Sequence, residues 1–363
     1  MKLLHFADLH LDAPFAWAAK ETARLRRRNR RDALVRILQL ADEEQVDGIL
    51  CAGDLFEHER FSADLLEFLR AKFAATDRRI FLAPGNHDWY SERSPYALVP
   101  WSSNVHLFTE ARLTPVSLAD GLTLWGFAHR APANTDSPFA GFRPDRGGLH
   151  LALAHASERG TFAFEESGKL PHAPFEAAEI ETAGLTHAFL GHYHVARDAD
   201  RHTYPGNPDP LEFGESAGRS VVIATVAADG AISRERRSVA VSEVHDIEVS
   251  LDDCEHSDDV RDRVSTAVAG LAGSVRVTLV GEIGAHVQID LRELRALGAH
   301  LDGILIRAAR LGVRYDLDAI AAEATVRGQF ARDAQQIEDP EHRRRVLLTG
   351  LRALEGRSDL EVA

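Results

Sequence analysis

Cysteine is scarce in this chain, long apolar runs are missing, and positive charge falls short of negative. Two cysteines in 363 residues, Cys51 and Cys254, cannot build a disulfide framework. Cys51 stands in a short apolar run and is expected as a small core residue. No apolar stretch is long enough to span a bilayer. The first polar motif begins by residue 8, which leaves no room for a signal peptide, so a cytoplasmic location without membrane contact is expected. No internal repeat or low-complexity tract occurs. The formal net charge is −14, from 56 acidic and 42 basic residues. Bulk acidity argues against loose, charge-driven coating of nucleic acid. A local cationic cleft is still compatible with it, because screening limits reach to about 8 Å at physiological salt.

What the chain does have is enough apolar matter for a full core, at 45% hydrophobic residues. Its length suits one large domain and one or two smaller ones. Five polar motifs then punctuate it: Asp8-Leu9-His10, Gly53-Asp54, Gly85-Asn86-His87-Asp88, His155, and Gly191-His192-Tyr193-His194. Each follows a short run of apolar and β-branched residues, such as Leu3 to Ala7, Gly48 to Ala52 or Ala188 to Leu190. Such runs read as strands buried on both faces. Polar groups at the carboxyl ends of such strands converge on one crevice. Gly53, Gly85 and Gly191 stand where sharp turns with close backbone approach are useful. Asp8 and Asp54 supply two negative charges, while His10, Asn86, His155, His192 and His194 ligate as neutral groups. Two divalent ions held this way keep a net positive centre that attracts a phosphate oxyanion.

These motifs resemble the calcineurin-like metallophosphoesterases, whose pattern runs D-x-H, G-D, G-N-H-D, H and G-H-x-H. The resemblance implies that Asp8, His10 and His194 hold one metal and Asn86, His155 and His192 the other, with Asp54 bridging. It implies that His87 is a non-ligand histidine at the scissile phosphate, aiding the leaving oxygen. The expected metals are two divalent ions per chain, manganese first, with iron or zinc as alternatives. Of the remaining histidines, His58 and His129 are candidates for outer-shell or rim groups.

Finer text is similar to the bacterial SbcD/YhaO group of DNA-repair nucleases. It includes Ala7 to Phe15, Gly53-Asp54-Leu55-Phe56, and Tyr204 to Pro208 with Phe213-Gly214-Glu215. That likeness covers about residues 1–240. It implies a metal-dependent DNA nuclease, exo- or endonucleolytic, in which a metal-bridging hydroxide attacks the phosphodiester in line. It also implies a homodimer, formed through helices beside the first two motifs, and an SMC-like ATPase partner. Arg24, Arg26, Arg27, Arg28, Arg30 and Arg31 could contact successive DNA phosphates or simply form a solvated helix face. Phe15, Trp17, Trp89, Tyr90 and Tyr193 could stack on bases or form core and wall.

Strand and helix signals alternate through the first 240 residues, with helices over 24–44 and 65–73. The expected class is α/β: a two-layer sheet core flanked by helices, the four-layer sandwich of the family. Residues 244–315 read as a small α/β module, similar in position and size to the capping domain of the nuclease group. Residues 316–363 read as a helical tail, near 317–336 and 340–354. That tail either docks on the ATPase or packs back on the capping module. Two rival functions stay open. One is a stand-alone phosphodiesterase or phosphatase of nucleotides or small phosphoesters. The other is a DNA-end tethering subunit whose site has little role.

Overall fold

Leu3 and Leu4 point to opposite faces of the first strand, and that alternation builds the first half of the molecule. The computed structural model describes residues 1–160, 172–215 and 218–356. It divides into one unit of Met1–Ala16 with Lys20–Ser242 and another of Trp17–Ala19 with Glu243–Ala363.

The strands of the first unit begin with β1 (Lys2–Phe6), β2 (Gly48–Cys51), β3 (Arg79–Leu82), β4 (Val105–Leu107), β5 (Thr114–Ala119) and β6 (Leu122–Gly126). They continue with β7 (Leu149–His155), β8 (His187–Gly191), β9 (Arg197–Asp198), β10 (His202–Tyr204), β11 (Val221–Val226) and β12 (Ile232–Arg237). Its helices are α1 (Lys20–Glu43), α2 (Ala63–Ala74), α3 (Pro95–Leu98) and α4 (Ala177–Thr182). One sheet runs β12-β11-β1-β2-β3-β4, with β1 to β4 parallel. The other runs β5-β6-β7-β8-β10-β9, with β6, β7, β8 and β10 parallel.

Leu3, Leu50 and Phe81 of the first sheet meet Leu151, Leu153 and Phe189 of the second. Leu4, Ile49 and Ile80 face the other way, onto Leu34 and Ile37 of α1 and Leu65 and Leu69 of α2. Ala152, Ala154, Ala188 and Leu190 pack with Ile180 of α4 on the far side. The unit is therefore the helix–sheet–sheet–helix sandwich that the patterning implies. Its motif-bearing strands are β1, β2 and β3 in one sheet and β7 and β8 in the other.

The second unit is a parallel sheet of β13 (Val244–Ser250), β14 (Ser274–Gly284) and β15 (Gly303–Arg314). Helices α5 (Ser257–Val268) and α6 (Leu291–Ala296) alternate with the strands. The tail follows as α7 (Leu317–Ala322), α8 (Val326–Ala334) and α9 (Pro340–Leu354). The expected single helix over 317–336 breaks because Thr325 starts a new one, its Oγ1 accepting from Gly328 N at 3.1 Å. The tail is not a segment apart over its described residues. Ile320, Ala331, Ala334, Leu347 and Leu351 share one core with Val260, Val277 and Leu279. Residues 357–363 of that segment lie outside the described residues. Among the described residues, no helix is long and apolar enough to cross a membrane.

Candidate metal centre

Just past the ends of β1 and β2 the backbone leaves ordinary conformations. Asp8, His10 and Asp54 take φ of 55°, 45° and 53°, and His192, after β8, takes 110°. Such left-handed values in non-glycine residues persist where the surroundings over-determine them, commonly at functional sites. Here a ladder does so: Asp8 N donates to Gly53 O (3.0 Å), His10 N to Asp54 O (2.9 Å) and Leu11 N to Leu55 O (2.9 Å). Gly53 lies at φ 90°, and a Cβ on it would stand 2.6 Å from His155 Nδ1. A Cβ on Gly85 would run into the Asp54 carboxylate. Close approach therefore requires glycine at both turns.

The five motifs do converge. Ligand-type atoms of Asp8, His10 and His194 lie within 4.8 Å of one another, as do those of Asp8, Asp54 and His155 and those of His10, Asp54 and His87. The His192 ring stands edge-on to His155 with centroids 5.2 Å apart, and the His192 backbone N–H donates to both Asp8 oxygens at 3.1 Å. The donor set fits a cation. His10 Nε2 and Asn86 Oδ1 are buried without a hydrogen-bond partner among the described residues, and His155 Nε2, equally buried, faces Asp54 Oδ2 at 3.3 Å. Each such orphan costs about 1–3 kcal/mol unless something fills its lone pair. The opposite ring nitrogens are taken: His10 Nδ1 by Glu57 (2.8 Å), His155 Nδ1 by Ala52 O (2.9 Å) and His194 Nδ1 by Glu215 (2.8 Å). A carbonyl can only accept, so His155 carries its proton on Nδ1 and turns Nε2 inward as a ligand.

The electrostatics agree. Burial raises the pKa of Asp8, against the pull of His155 and His194. Burial also opposes ionisation of Asp54, but His155 and His10 outweigh it and hold Asp54 well below the usual carboxylate range. Burial disfavours a charged His155, yet the Asp54 carboxylate outweighs that and lifts its pKa to about 9. Two buried carboxylates thus draw protons onto imidazoles, and a bound divalent cation displaces such protons.

His87 is different, because its side chain is 46% exposed. Its N–H donates to Asp54 Oδ1 at 2.8 Å, and its Nδ1 lies 3.0 Å from Glu57 Oε2. Burial alone would lower its pKa, but the Glu57 hydrogen bond and the charges of Asp54 and Glu57 together outweigh it and raise the pKa to about 9. Glu57 therefore spans His10 and His87 with its two oxygens. Burial works against its charge, but the two histidines outweigh burial and bring its pKa to about 2. The motif reading did not single out Glu57; its signal is a carboxylate three residues after Asp54. Asp88 is buried structure: it accepts from Asp54 N (3.0 Å), Leu55 N (2.8 Å), Gly85 N (2.6 Å) and Tyr96 Oη (2.6 Å). His129 lies behind the site, its Nε2 2.7 Å from His155 O. His58 stacks on Trp89 at 4.2 Å, and its N–H donates to His87 O at 2.9 Å.

The arginine run needs correction. Arg26 and Arg30 are fully buried, so neither reaches a DNA phosphate. Arg26 donates to Pro210 O, and Arg30 donates to Leu9 O and, at 3.2 Å, to Asp209 O. Both lie over Phe15, 5.2 and 5.7 Å from its centroid, which makes Phe15 a wall rather than a base platform. Arg31 pairs with Asp64 and Asp12, Arg27 is half-buried, and Arg24 and Arg28 are exposed.

Buried carboxylates and imidazoles at converging strand ends of a four-layer sandwich define a metal-dependent phosphoester hydrolase. Residues 1–196 match the model of the calcineurin-like phosphoesterases, and the chain belongs to that family. It is 26% identical over 250 residues to an uncharacterized metallophosphoesterase, YhaO of Bacillus subtilis strain 168, a match covering 65% of this chain and 59% of that one. It is 27% identical over 247 residues to the DNA double-strand break repair protein Mre11 of Methanopyrus kandleri, covering 59% and 50%. The chain thus spans between half and three-fifths of these relatives' lengths. Among solved structures, TT1561 of Thermus thermophilus overlaps 65% of this chain and 98% of its own, at 12% identity and a TM-score of 0.37. Yfce, a phosphoesterase from E. coli, overlaps the same shares at 16% identity and a TM-score of 0.28. Overlaps that loose carry no argument.

Proposed function

We propose that this hydrolase is a two-metal phosphodiesterase that cleaves DNA in repair, as exonuclease, endonuclease or both, with manganese at its centre. The observation that carries the hydrolytic part is the pair of orphaned lone pairs on His10 and Asn86, with His155 facing Asp54, around two buried carboxylates. DNA as substrate is supported by the Methanopyrus relative, which is named a double-strand break repair protein. Asp8, His10 and His194 would hold one metal and Asn86, His155 and His192 the other, with Asp54 between them. When bound, the metals lower the pKa of water and offset charge on the phosphoryl oxygens. His87, exposed and tied to Glu57, reaches the leaving oxygen and gives it a proton. The same proposal includes a homodimer and an SMC-like ATPase partner, which would add to the DNA affinity of a chain of net charge −14.

The test is hydrolysis by the purified chain with Mn²⁺, comparing end-labelled single- and double-stranded DNA with bis-p-nitrophenyl phosphate. His87→Ala runs alongside. The expected result is metal-dependent DNA cutting that falls about 10²–10⁴-fold in the variant, as for a lost general acid. Bound metal, counted by elemental analysis, should stay unchanged. Turnover of the small diester alone, with or without the ATPase, would replace DNA by small phosphoesters as substrate.

A further inference from the structure

Just downstream of the first two metal-site motifs, the chain lines a concavity of about 530 Å³ with Asp12, Pro14, Arg27, Arg31, Arg60 and Ser62. Three guanidiniums there face one carboxylate. Asp12 is already engaged, accepting from Ser62 Oγ at 2.9 Å and Ser62 N at 3.2 Å and pairing with Arg31 at 3.4 Å. Arg31 is engaged too, held in place by Asp12 and Asp64. The other two cations are not. Arg27 makes one long contact of 3.4 Å with Pro14 O, and the Arg60 side chain has no ion pair or hydrogen bond among the described residues. The pocket therefore offers two uncommitted planar forks and a third guanidinium held by carboxylates. That chemistry suits the oxygens of a phosphate, which arginine binds bidentately.

Its position is set by the same ladder that builds the metal site. Leu11 bridges to Phe56 as the segments bearing Asp8 and Asp54 leave the centre side by side, and Glu57 N donates to Leu11 O at 3.1 Å. Asp12 follows His10 by two residues and Arg60 follows Glu57 by three, so chain reach holds their Cα atoms within roughly 7 and 10 Å of those of His10 and Glu57. A ligand with one phosphorus cannot use both places, whereas a strand with successive phosphates can.

We propose that the Arg27–Arg31–Arg60 pocket is a second phosphate site, holding a non-scissile phosphate of the strand whose scissile phosphate lies at the metal centre. The identity of the strand rests on the phosphodiesterase reading above; the pocket's affinity for a phosphate does not depend on metal. Arginines on the same helix split accordingly: Arg27 and Arg31 line the pocket, while Arg24 and Arg28 lie outside it and serve as a charge-matched control.

The experiment compares wild type, R27A/R60A and R24A/R28A as full chains. Binding of a fluorescein-labelled single-stranded oligonucleotide is followed by anisotropy in EDTA, across salt concentrations. Hydrolysis of bis-p-nitrophenyl phosphate is measured separately with Mn²⁺. R27A/R60A should bind about tenfold more weakly, with a salt slope shallower by about 0.7, and R24A/R28A should change neither by half as much. Small-diester turnover should stay within about twofold of wild type in both. A preference for 5′-phosphorylated over 5′-hydroxyl oligonucleotide, lost in R27A/R60A, would identify a terminal phosphate; equal binding of the two forms, weakened alike in R27A/R60A, would identify an internal diester. Equal weakening by the two double variants, or no wild-type binding of the oligonucleotide, would overturn the pocket. Loss of all small-diester turnover in wild type would instead overturn the metal-centre reading and leave the binding result standing.

Discussion

A single carboxylate, Glu57, links the group expected to hold metal with the group expected to move a proton. Its oxygens lie 2.8 Å from His10 Nδ1 and 3.0 Å from His87 Nδ1. It fixes which nitrogen of His10 faces inward, and it orients His87 without touching the reacting atoms. Glu57→Gln should therefore act on both at once. An amide has one acceptor oxygen, so one ring keeps its partner and the other meets an N–H. The expected loss is about 10–100-fold in metal affinity, the usual penalty for removing a ligand's carboxylate support. Turnover at saturating metal should fall as well. Metal titration by calorimetry, set beside His87→Ala, separates the two roles; unchanged affinity in Glu57→Gln would show that His10 needs no such support. The motif residues themselves were legible because each sits beside a strand end in a fixed local pattern. Glu57 was not, because its partners lie 47 and 30 residues away in sequence and meet it through folding alone.

At the scale of elements, α1 shows what periodicity resolves and what it cannot. Leu34, Ile37 and Ala41 recur at helical spacing, and all three are buried against the first sheet. The arginines on the preceding turns carry no such sign. Arg30 is buried because the 209–210 loop, 179 residues downstream, brings a carbonyl to its guanidinium beside that of Leu9. Burial draws its pKa down to about 10, against the pull of Asp209, which still leaves it charged near neutrality. Arg30→Ala should leave two carbonyls unpaired and open a cavity, destabilising the first unit by about 3 kcal/mol. Arg30→Lys should recover little, because an ammonium cannot fork between two acceptors. Thermal unfolding checks both, and both should lower small-diester turnover and DNA cutting in parallel. An Arg30→Ala chain with wild-type stability that loses only DNA binding would return this residue to the DNA surface. The strands were readable one by one, from runs such as Leu149 to Ala154. Their distribution between two sheets was not, since Leu151 and Ala152 differ by face rather than by type.

Across the whole molecule, acid should undo the first unit through histidines that the metal centre does not use. His5 and His187 lie in the sandwich interior, at 0% and 2% exposure. Burial, aided by His187 and Arg236, holds His5 well below its ordinary value. Burial, then Arg234 and His202, brings His187 to about 3, where its Nε2 meets Thr203 Oγ1 at 2.9 Å. An unfolded histidine titrates near 6.5, so between 6.5 and 3 the unfolded chain binds the proton that the folded chain refuses. The stability tied to His187 is thus complete above pH 6.5 and is lost as pH falls below it. From pH 7 to pH 5 the loss should be about 2 kcal/mol for this residue. His187→Gln should begin less stable at pH 8, because a buried ring is gone, yet its stability should fall less steeply by that amount. Urea titration of both chains in EDTA, followed by tryptophan fluorescence, isolates the difference, since metal release then enters neither curve. Three of the four tryptophans, Trp89, Trp101 and Trp125, report on the first unit. Parallel curves for the two chains between pH 7 and 5 would mean that the interior admits a charged His187, and that the sandwich yields to acid through other groups.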